Sequence, residues 1–284
     1  VTGRPATAPE ALRAAVERLE RAGVPSPAND ARLLLARRLG VERGEVFTAV
    51  EPDPEALEGF RADIARRARR EPLQLITGET GFYGIRLKVR PGVFIPRPET
   101  EVLVDLALES LTGDAGLAYD LGCGCGNVAC ALAVNRPDLR VVATDTSAEA
   151  VALARENAAL CGLSGRISVI RADLGAGLSG GADLVCCNPP YVPTGDIGGL
   201  EPEVRAHAPR AALDGGADGL DVIRRLAGEI PRLTRPGGVT LVEIGHGQGE
   251  AVGRIFGGIP GARVEIKRDL ASRERVAVVH FGRT

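Results

Sequence analysis

The sequence predicts an α/β fold: a doubly wound, largely parallel sheet preceded by a small helical domain and a β-hairpin. Three observations carry that expectation. Before residue 80 the apolar residues recur at helical spacing. From Pro98 onward short apolar runs alternate with helical stretches, the pattern of βα units that build a parallel sheet. Four of those runs stop at a glycine turn, an acid or an amide. Polar groups are thereby gathered along the carboxyl edge of the sheet, where open α/β sheets hold ligands. The expected boundaries are a helical domain over 1–80, a hairpin linker over 81–97 and a sheet domain over 98–284.

In the first domain Pro9 opens an amphipathic segment with Leu12, Val16 and Leu19 on one face, ending near Gly23. A second segment runs from Pro27 to Leu39 and stops at Gly40. A third begins at Pro54, carries Leu57, Phe60 and Ile64, and runs into Arg66-Arg67-Ala68-Arg69-Arg70. A basic run at a helix end complements the macrodipole and is ordinarily solvated; a contact with a protein partner is the alternative. Residues 81–95 alternate around Gly84 and Pro91-Gly92 and read as the hairpin.

The first apolar run of the sheet domain, Tyr119-Asp120-Leu121, meets Gly122-Cys123-Gly124-Cys125-Gly126-Asn127 and then a helical stretch. Glycines there allow a ligand close to the backbone, and a helix N-terminus adds N–H groups. The spacing G-x-G-x-G puts Asn127 where a dinucleotide fingerprint needs its third glycine, which argues against a nicotinamide or flavin enzyme. The next run, Arg140 to Thr144, ends at Asp145, placed to accept hydrogen bonds from the ribose hydroxyls of an adenosyl group. Helix capping is the alternative for Asp145. However, Thr146-Ser147-Ala148-Glu149 reads as a capping box of its own, leaving Asp145 free. A third run, Arg166 to Ala172, delivers Asp173 and Leu174, a polar then an apolar group suited to the edge and face of an adenine ring. Asp173 as a plain loop-starting residue is the bland reading.

The fourth run, Ala182 to Cys187, enters Asn188-Pro189-Pro190-Tyr191. Two prolines fix their own φ angles and push the preceding residue toward an extended backbone, so Asn188 is presented stiffly. A carboxamide, two proline carbonyls and an aromatic ring can together hold a planar NH2 group. Without its neighbours the tetrapeptide reads equally well as a proline-rich turn.

Composition excludes several classes. Lys and Arg number 35 against 37 Asp and Glu, a net charge of −2, so no global basic field is available for nucleic acid. Aromatics at 3% leave few base-stacking platforms. No apolar run approaches the roughly 20 residues of a membrane span, and no signal-peptide core opens the sequence. A cytoplasmic protein is expected, with no membrane or direct nucleic-acid partner. The six cysteines form no C-x-x-C pair, so neither zinc nor disulfides are expected.

A glycine turn, Asp145, Asp173 and Asn188 at successive strand ends resemble a class I (Rossmann-like) S-adenosylmethionine-dependent methyltransferase. Further segments narrow the likeness: Phe94-Ile95-Pro96-Arg97-Pro98-Glu99-Thr100-Glu101, Leu241-Val242-Glu243-Ile244-Gly245-His246-Gly247-Gln248-Gly249-Glu250, and the terminal Arg268 to Val276. With these and its helical N-terminus the chain resembles the HemK/PrmC family of release-factor glutamine N5-methyltransferases over nearly its whole length. Two departures stand out. Ala208 replaces the glutamate of an aromatic-Glu-Pro triplet, and Cys123 and Cys125 stand where the family usually has Thr or Ser.

The resemblance implies S-adenosylmethionine as cofactor, S-adenosylhomocysteine as product, and an antiparallel sheet edge near Val264 and Val276. It also implies a substrate glutamine in the Gly-Gly-Gln loop of a class I peptide chain release factor, and a monomeric enzyme. Cofactor contacts would come from Gly122, Cys123, Gly124, Cys125, Gly126, Asp145, Asp173, Leu174 and Asn188. Substrate contacts and catalysis would fall to Asn188, Pro189, Pro190 and Tyr191. No metal enters this chemistry. His246, nominated as a base, reads better as a turn residue. The rival readings are a nucleic-acid amino methyltransferase, a paralogue acting on a small metabolite, and a non-catalytic cofactor-binding adaptor.

Overall fold

The computed structural model describes residues 7–47, 52–113 and 116–282. Val1–Gly78 and Glu79–Thr284 form two compact units.

In the first unit α1 (Ala8–Arg21) starts at a capping box in which Thr7 and Glu10 each accept the other's backbone N–H. Helix α2 (Pro27–Leu39) ends at Gly40, left-handed at φ 65°, and α3 (Pro54–Ala68) is capped by Asp53. The short α4 (Leu73–Thr77) closes the unit. Leu12, Leu19, Leu34, Leu35, Phe60 and Ile64 form its core. The basic run departs from the solvated helix end expected of it. Arg67 is buried and bonds Asp30 at 2.8 Å, while Arg66 bonds Glu71. Helical register turns Arg67 toward α2, where its charge compensates the buried Asp30.

In the second unit β1 (Glu79–Phe82) and β2 (Ile85–Lys88) pair antiparallel across Tyr83-Gly84, both at positive φ, as a two-residue hairpin turn requires. The hairpin thus spans 79–88 rather than 81–97, because left-handed Gly78 ends α4 and the strand follows at once. It packs with the sheet unit, contributing Phe82 and Leu87 to that core.

From there α5 (Glu101–Ser110), β3 (Leu117–Leu121), α6 (Asn127–Asn135), β4 (Arg140–Asp145), α7 (Ala148–Leu160), β5 (Ile167–Arg171) and β6 (Ala182–Cys187) follow. Then come α8 (Pro202–His207), α9 (Asp221–Leu233), β7 (Thr234–Glu243), α10 (Gly249–Gly257), β8 (Ala262–Arg268) and β9 (Glu274–Phe281). The seven-stranded sheet has the order β5-β4-β3-β6-β7-β9-β8. Strands β3 to β7 run parallel, and β9 pairs antiparallel with both β7 and β8.

Alternation along the strands divides the core between two faces. Leu184 and Cys186 of β6 pack with Leu103, Leu132 and Leu153, whereas Val185 and Cys187 pack with Ile223, Leu226 and Phe256. A strand buried on both faces reads as an unbroken apolar run, which is why Ala182 to Cys187 looks the way it does. Strand order reverses between β3 and β6, and register levels their ends, Leu121 opposite Cys187. The residues that follow these strands therefore share one crevice at a topological switch point.

Candidate active site

A cavity of about 740 Å³ opens at that crevice. Gly122, Gly124, Asp145, Asp173, Leu174, Asn188, Pro189, Pro190 and Tyr191 all line it. Cys123, Cys125 and Gly126 do not. The two thiols point into the core, and burial pushes both pKa values up, that of Cys125 to about 12. A Cβ on Gly126 would meet Ala154 at 3.1 Å, so this glycine serves the packing of α6 on α7.

Gly122 and Gly124 differ. Both are left-handed, at φ 72° and 55°, and nothing lies within 4 Å of where a Cβ would stand on either. Bare Cα faces at positive φ, bordering an open cavity, make a cradle that a ligand can approach closely. Several amides of the turn are taken, but among the described residues the Asn127 and Val128 N–H groups that open α6 at the cavity make no hydrogen bond, as expected of a helix N-terminus. The Gly122 and Cys123 amides donate to Thr144 O, Gly124 N–H to Asp145, Gly126 N–H to Cys123 O and Ala129 N–H to Asp120.

Asp145 is likewise not free. Its Oδ2 accepts from Gly124 and its Oδ1 from Ser147 N–H, each at 2.9 Å. The helix cap is Ser147, not Thr146, since Ser147 Oγ accepts the Ala150 N–H. A carboxylate has about four lone-pair sites, so two amides fix its plane and leave two sites for ribose hydroxyls. Beneath it Asp120, 1% exposed, has its pKa pushed to about 7 by burial, with the Asp145 charge adding and the Ala129 N–H opposing.

Asp173 is exposed and bonds Arg225 of α9 at 2.6 Å. Leu174 is buried at φ 48°, a conformation non-glycine residues seldom adopt, and Thr144 Oγ1 donates to its carbonyl. The strained backbone turns an apolar side chain to the cavity wall.

At the other end of the cavity Asn188 Nδ2 donates to Thr100 Oγ1 at 3.1 Å. Among the described residues no bond is made to Asn188 Oδ1. Tyr191 is anchored by its main chain: Gln248 Nε2 donates to its carbonyl at 2.9 Å, and a Cβ on Gly219 would strike that oxygen at 2.3 Å. The Tyr191 hydroxyl reaches Glu243 Oε1 at 3.5 Å, and burial keeps it protonated.

Glu243, at the end of β7, is 1% exposed, and among the described residues its buried Oε2 has no hydrogen-bond partner. Burial raises its pKa to about 7; Thr100, Arg275 and Tyr191 pull against that, and Glu99 adds to it. Arg275 is itself buried on β9 and bonds Asp269 at 3.0 Å.

Sequence reasoning did not single out Thr100, Asp120, Glu243, Gln248 or Arg275. A charged residue closing an apolar strand, as in Leu241-Val242-Glu243, is the signal that points to Glu243. Thr100 and Gln248 lie in segments that carry the family likeness, but only the fold brings them to Asn188 and Tyr191. His246 is exposed in a turn and does not line the cavity.

The cradle, the half-used carboxylate and the apolar Leu174 wall fit the phosphate-free adenosyl group of S-adenosylmethionine. Fold and site together define a class I methyltransferase. Solved structures agree on the fold: a methyltransferase from Pyrococcus furiosus (TM-score 0.55, 16% identity, 77% of this chain and 98% of that one) and the hMettl16 catalytic domain (TM-score 0.56, 16% identity, 77% and 81%).

The PrmC N-terminal domain model matches residues 10–78 and the methyltransferase small domain model residues 84–216. The release factor glutamine methyltransferase of Caulobacter vibrioides is 44% identical over 95% of this chain and 94% of its own length. That of Deinococcus radiodurans is 44% identical over 93% and 95%. The chain belongs to the release factor glutamine methyltransferase family.

Proposed function

We propose that the chain methylates the side-chain amide nitrogen of a glutamine in class I peptide chain release factors, the Gly-Gly-Gln loop being the target. The observation that carries this reading is the Asn188–Thr100 bond, which leaves the carbonyl end of a rigid carboxamide for an incoming N–H in the cavity that holds the glycine cradle.

S-Adenosylmethionine, when bound, supplies an electrophilic methyl on a sulfonium. Gly122 and Gly124 admit it, Asp145 accepts from its ribose, and Asp173 and Leu174 meet the edge and face of its adenine. Asn188 Oδ1 and a carbonyl of Pro189 or Pro190 accept the two hydrogens of the substrate amide, and Tyr191 packs on its face. An amide nitrogen is a poor nucleophile because its lone pair is delocalised. Two accepted hydrogen bonds raise its electron density and aim it. Orientation of this kind is worth on the order of 7–11 kcal/mol in well-aligned systems. No strong base is required: on taking the methyl the nitrogen becomes cationic and strongly acidic, so one of its two protons passes to water while the sulfur departs as the neutral thioether of S-adenosylhomocysteine. The helical unit is assigned to recognition of the release factor, and the enzyme is taken to act as a cytoplasmic monomer.

The test is incubation with methyl-labelled cofactor and three acceptors: purified release factor, duplex DNA and a metabolite extract. Label in the release-factor glutamine supports the reading. Label only in the metabolite fraction would move the substrate to a small molecule, the outcome that Ala208 makes worth testing. Label in DNA would make the chain a nucleic-acid enzyme.

A further inference from the structure

The turn Gly245-His246-Gly247-Gln248 after β7 has no part in the chemistry above, and it stands behind the cavity wall rather than in it. Its Gln248 side chain nevertheless reaches the wall. Gly245 N–H donates to Gln248 Oε1 at 2.9 Å, which settles the orientation of the carboxamide. The NH2 end points the other way and donates to the Tyr191 carbonyl at 2.9 Å and to the Gly219 carbonyl at 3.4 Å.

The turn is itself firmly placed. Gln248 N–H closes it onto the Gly245 carbonyl at 3.2 Å, and Ile244 N–H donates to the Arg275 carbonyl at 2.9 Å. Glu274 of β9 accepts the Gly249 N–H at 3.0 Å, tying the start of α10 to the sheet.

Tyr191 is gripped from this side in two ways. Val192 N–H donates to the Leu213 carbonyl at 2.9 Å, so the peptide joining Tyr191 to Val192 is held at both of its polar ends. A Cβ on Gly245 would stand 3.3 Å from Tyr191 Cδ2 and 3.0 Å from Gln248 Oε1, so ring edge and carboxamide both lie close over a bare Cα. The hydroxyl adds little by comparison, because 3.5 Å to Glu243 is the outer limit of a hydrogen bond.

We propose that Gln248 is a positioning residue for methyl transfer: its carboxamide and the bare Cα of Gly245 form a seat that fixes the Tyr191 ring against the substrate amide. The inference rests on the role given to Tyr191 above. The place demands a group that accepts at one end and donates at the other, which a carboxamide does and a carboxylate does not. A glutamate of the same length would keep the Gly245 bond but set negative charge against two carbonyl oxygens. The Tyr191–Val192 peptide would then turn about its remaining bond to Leu213 and carry the ring with it.

The chain has three tyrosines and no tryptophan, so protein labelled with fluorotyrosine gives one fluorine resonance each for Tyr83, Tyr119 and Tyr191. The Tyr191 signal is assigned by its loss in Tyr191→Phe. Gln248→Glu should shift that signal and leave the other two in place. Its kcat on release factor should fall by about 10²-fold, the scale of a ~1 Å misplacement near the reacting atoms. KM for release factor and the cofactor Kd measured by calorimetry should stay at wild-type values.

Gln248→Met removes the bonds without the repulsion, and should move the same resonance with a smaller loss of kcat. Gly245→Ala keeps the hydrogen-bonding groups but presses a methyl toward the ring, and should move it as well. These two variants decide the matter by the same criteria if Gln248→Glu fails to fold. An unmoved Tyr191 resonance, wild-type kcat, or a loss confined to KM or cofactor affinity overturns the seat. Tyr191→Ala assayed alongside separates the two ideas. If it transfers methyl at the wild-type rate, the role given to Tyr191 fails; if it is slow while the Gln248 variants match wild type, only the seat fails.

Discussion

Asp145 Oδ2 accepts the N–H of Gly124 at 2.9 Å, tying the end of β4 to the turn that follows β3. One carboxylate therefore shapes the glycine cradle and keeps two lone-pair sites beside it, where the proposed function has it accept from the ribose. Asp145→Ala should weaken cofactor binding through the loss of charge-assisted hydrogen bonds worth roughly 1.5–3 kcal/mol each. Calorimetry with an unchanged Kd would place the ribose elsewhere.

Gly124→Val should weaken binding further. A branched side chain is strained at φ 55° and would stand in the open space of the cavity. Normal binding by this variant would reduce the turn to a structural element.

The sheet unit carries both of its core clusters and every cavity residue named above. A protein reduced to residues 79–284 should fold, bind cofactor and retain activity on a free glutamine analogue, while losing most activity on intact release factor. Equal rates on release factor for the truncated and full-length proteins would remove the helical unit from substrate recognition.

Asp120 gives a stability prediction with a definite sign. Its pKa is 3.8 in an ordinary environment and about 7 in the folded protein. Between those values the folded state holds a proton that the unfolded state has lost, so stability falls as pH rises from about 4 to 7 and levels off above. Asp120→Asn can still accept the Ala129 N–H through its oxygen and removes this dependence. In urea unfolding its advantage over wild type should be larger at pH 8 than at pH 5, by an amount on the order of 2 kcal/mol. Parallel curves for the two proteins would mean that Asp120 is not held protonated.

The sheet and its carboxyl edge were legible in the sequence because buried parallel strands leave unbroken apolar runs and each run stops at a chemically distinct residue. Asn188 was the plainest case, since two prolines restrict the backbone locally. Asp145 was placed correctly but described wrongly. Capping boxes at Thr146 and Ser147 differ by one residue, and sequence alone does not reveal that Asp145 takes the Ser147 amide. Arg67 was misread because a basic run looks alike whether its register faces solvent or Asp30. Thr100, Glu243 and Gln248 act on residues that lie 88, 52 and 57 positions away, and such pairings come only from the order of strands.

Asn188→Asp separates alignment from charge. A carboxylate can still accept from the substrate amide, but it cannot donate to Thr100. Its negative charge near the sulfonium would stabilise the ground state more than a transition state in which that charge is dispersing. Cofactor should bind as well or better, and methyl transfer should stay slow. Turnover at the wild-type rate would show that the amide NH2 has no part in alignment.

The central claim, that the Asn188 carboxamide aligns the substrate amide for methyl transfer, is tested most directly by single-turnover transfer to release factor in Asn188→Ala. With cofactor and release factor both saturating, the rate should fall by roughly 10²–10³, the cost of losing one preorganised polar group, while cofactor Kd stays near the wild-type value. A wild-type rate of transfer in Asn188→Ala would contradict the account.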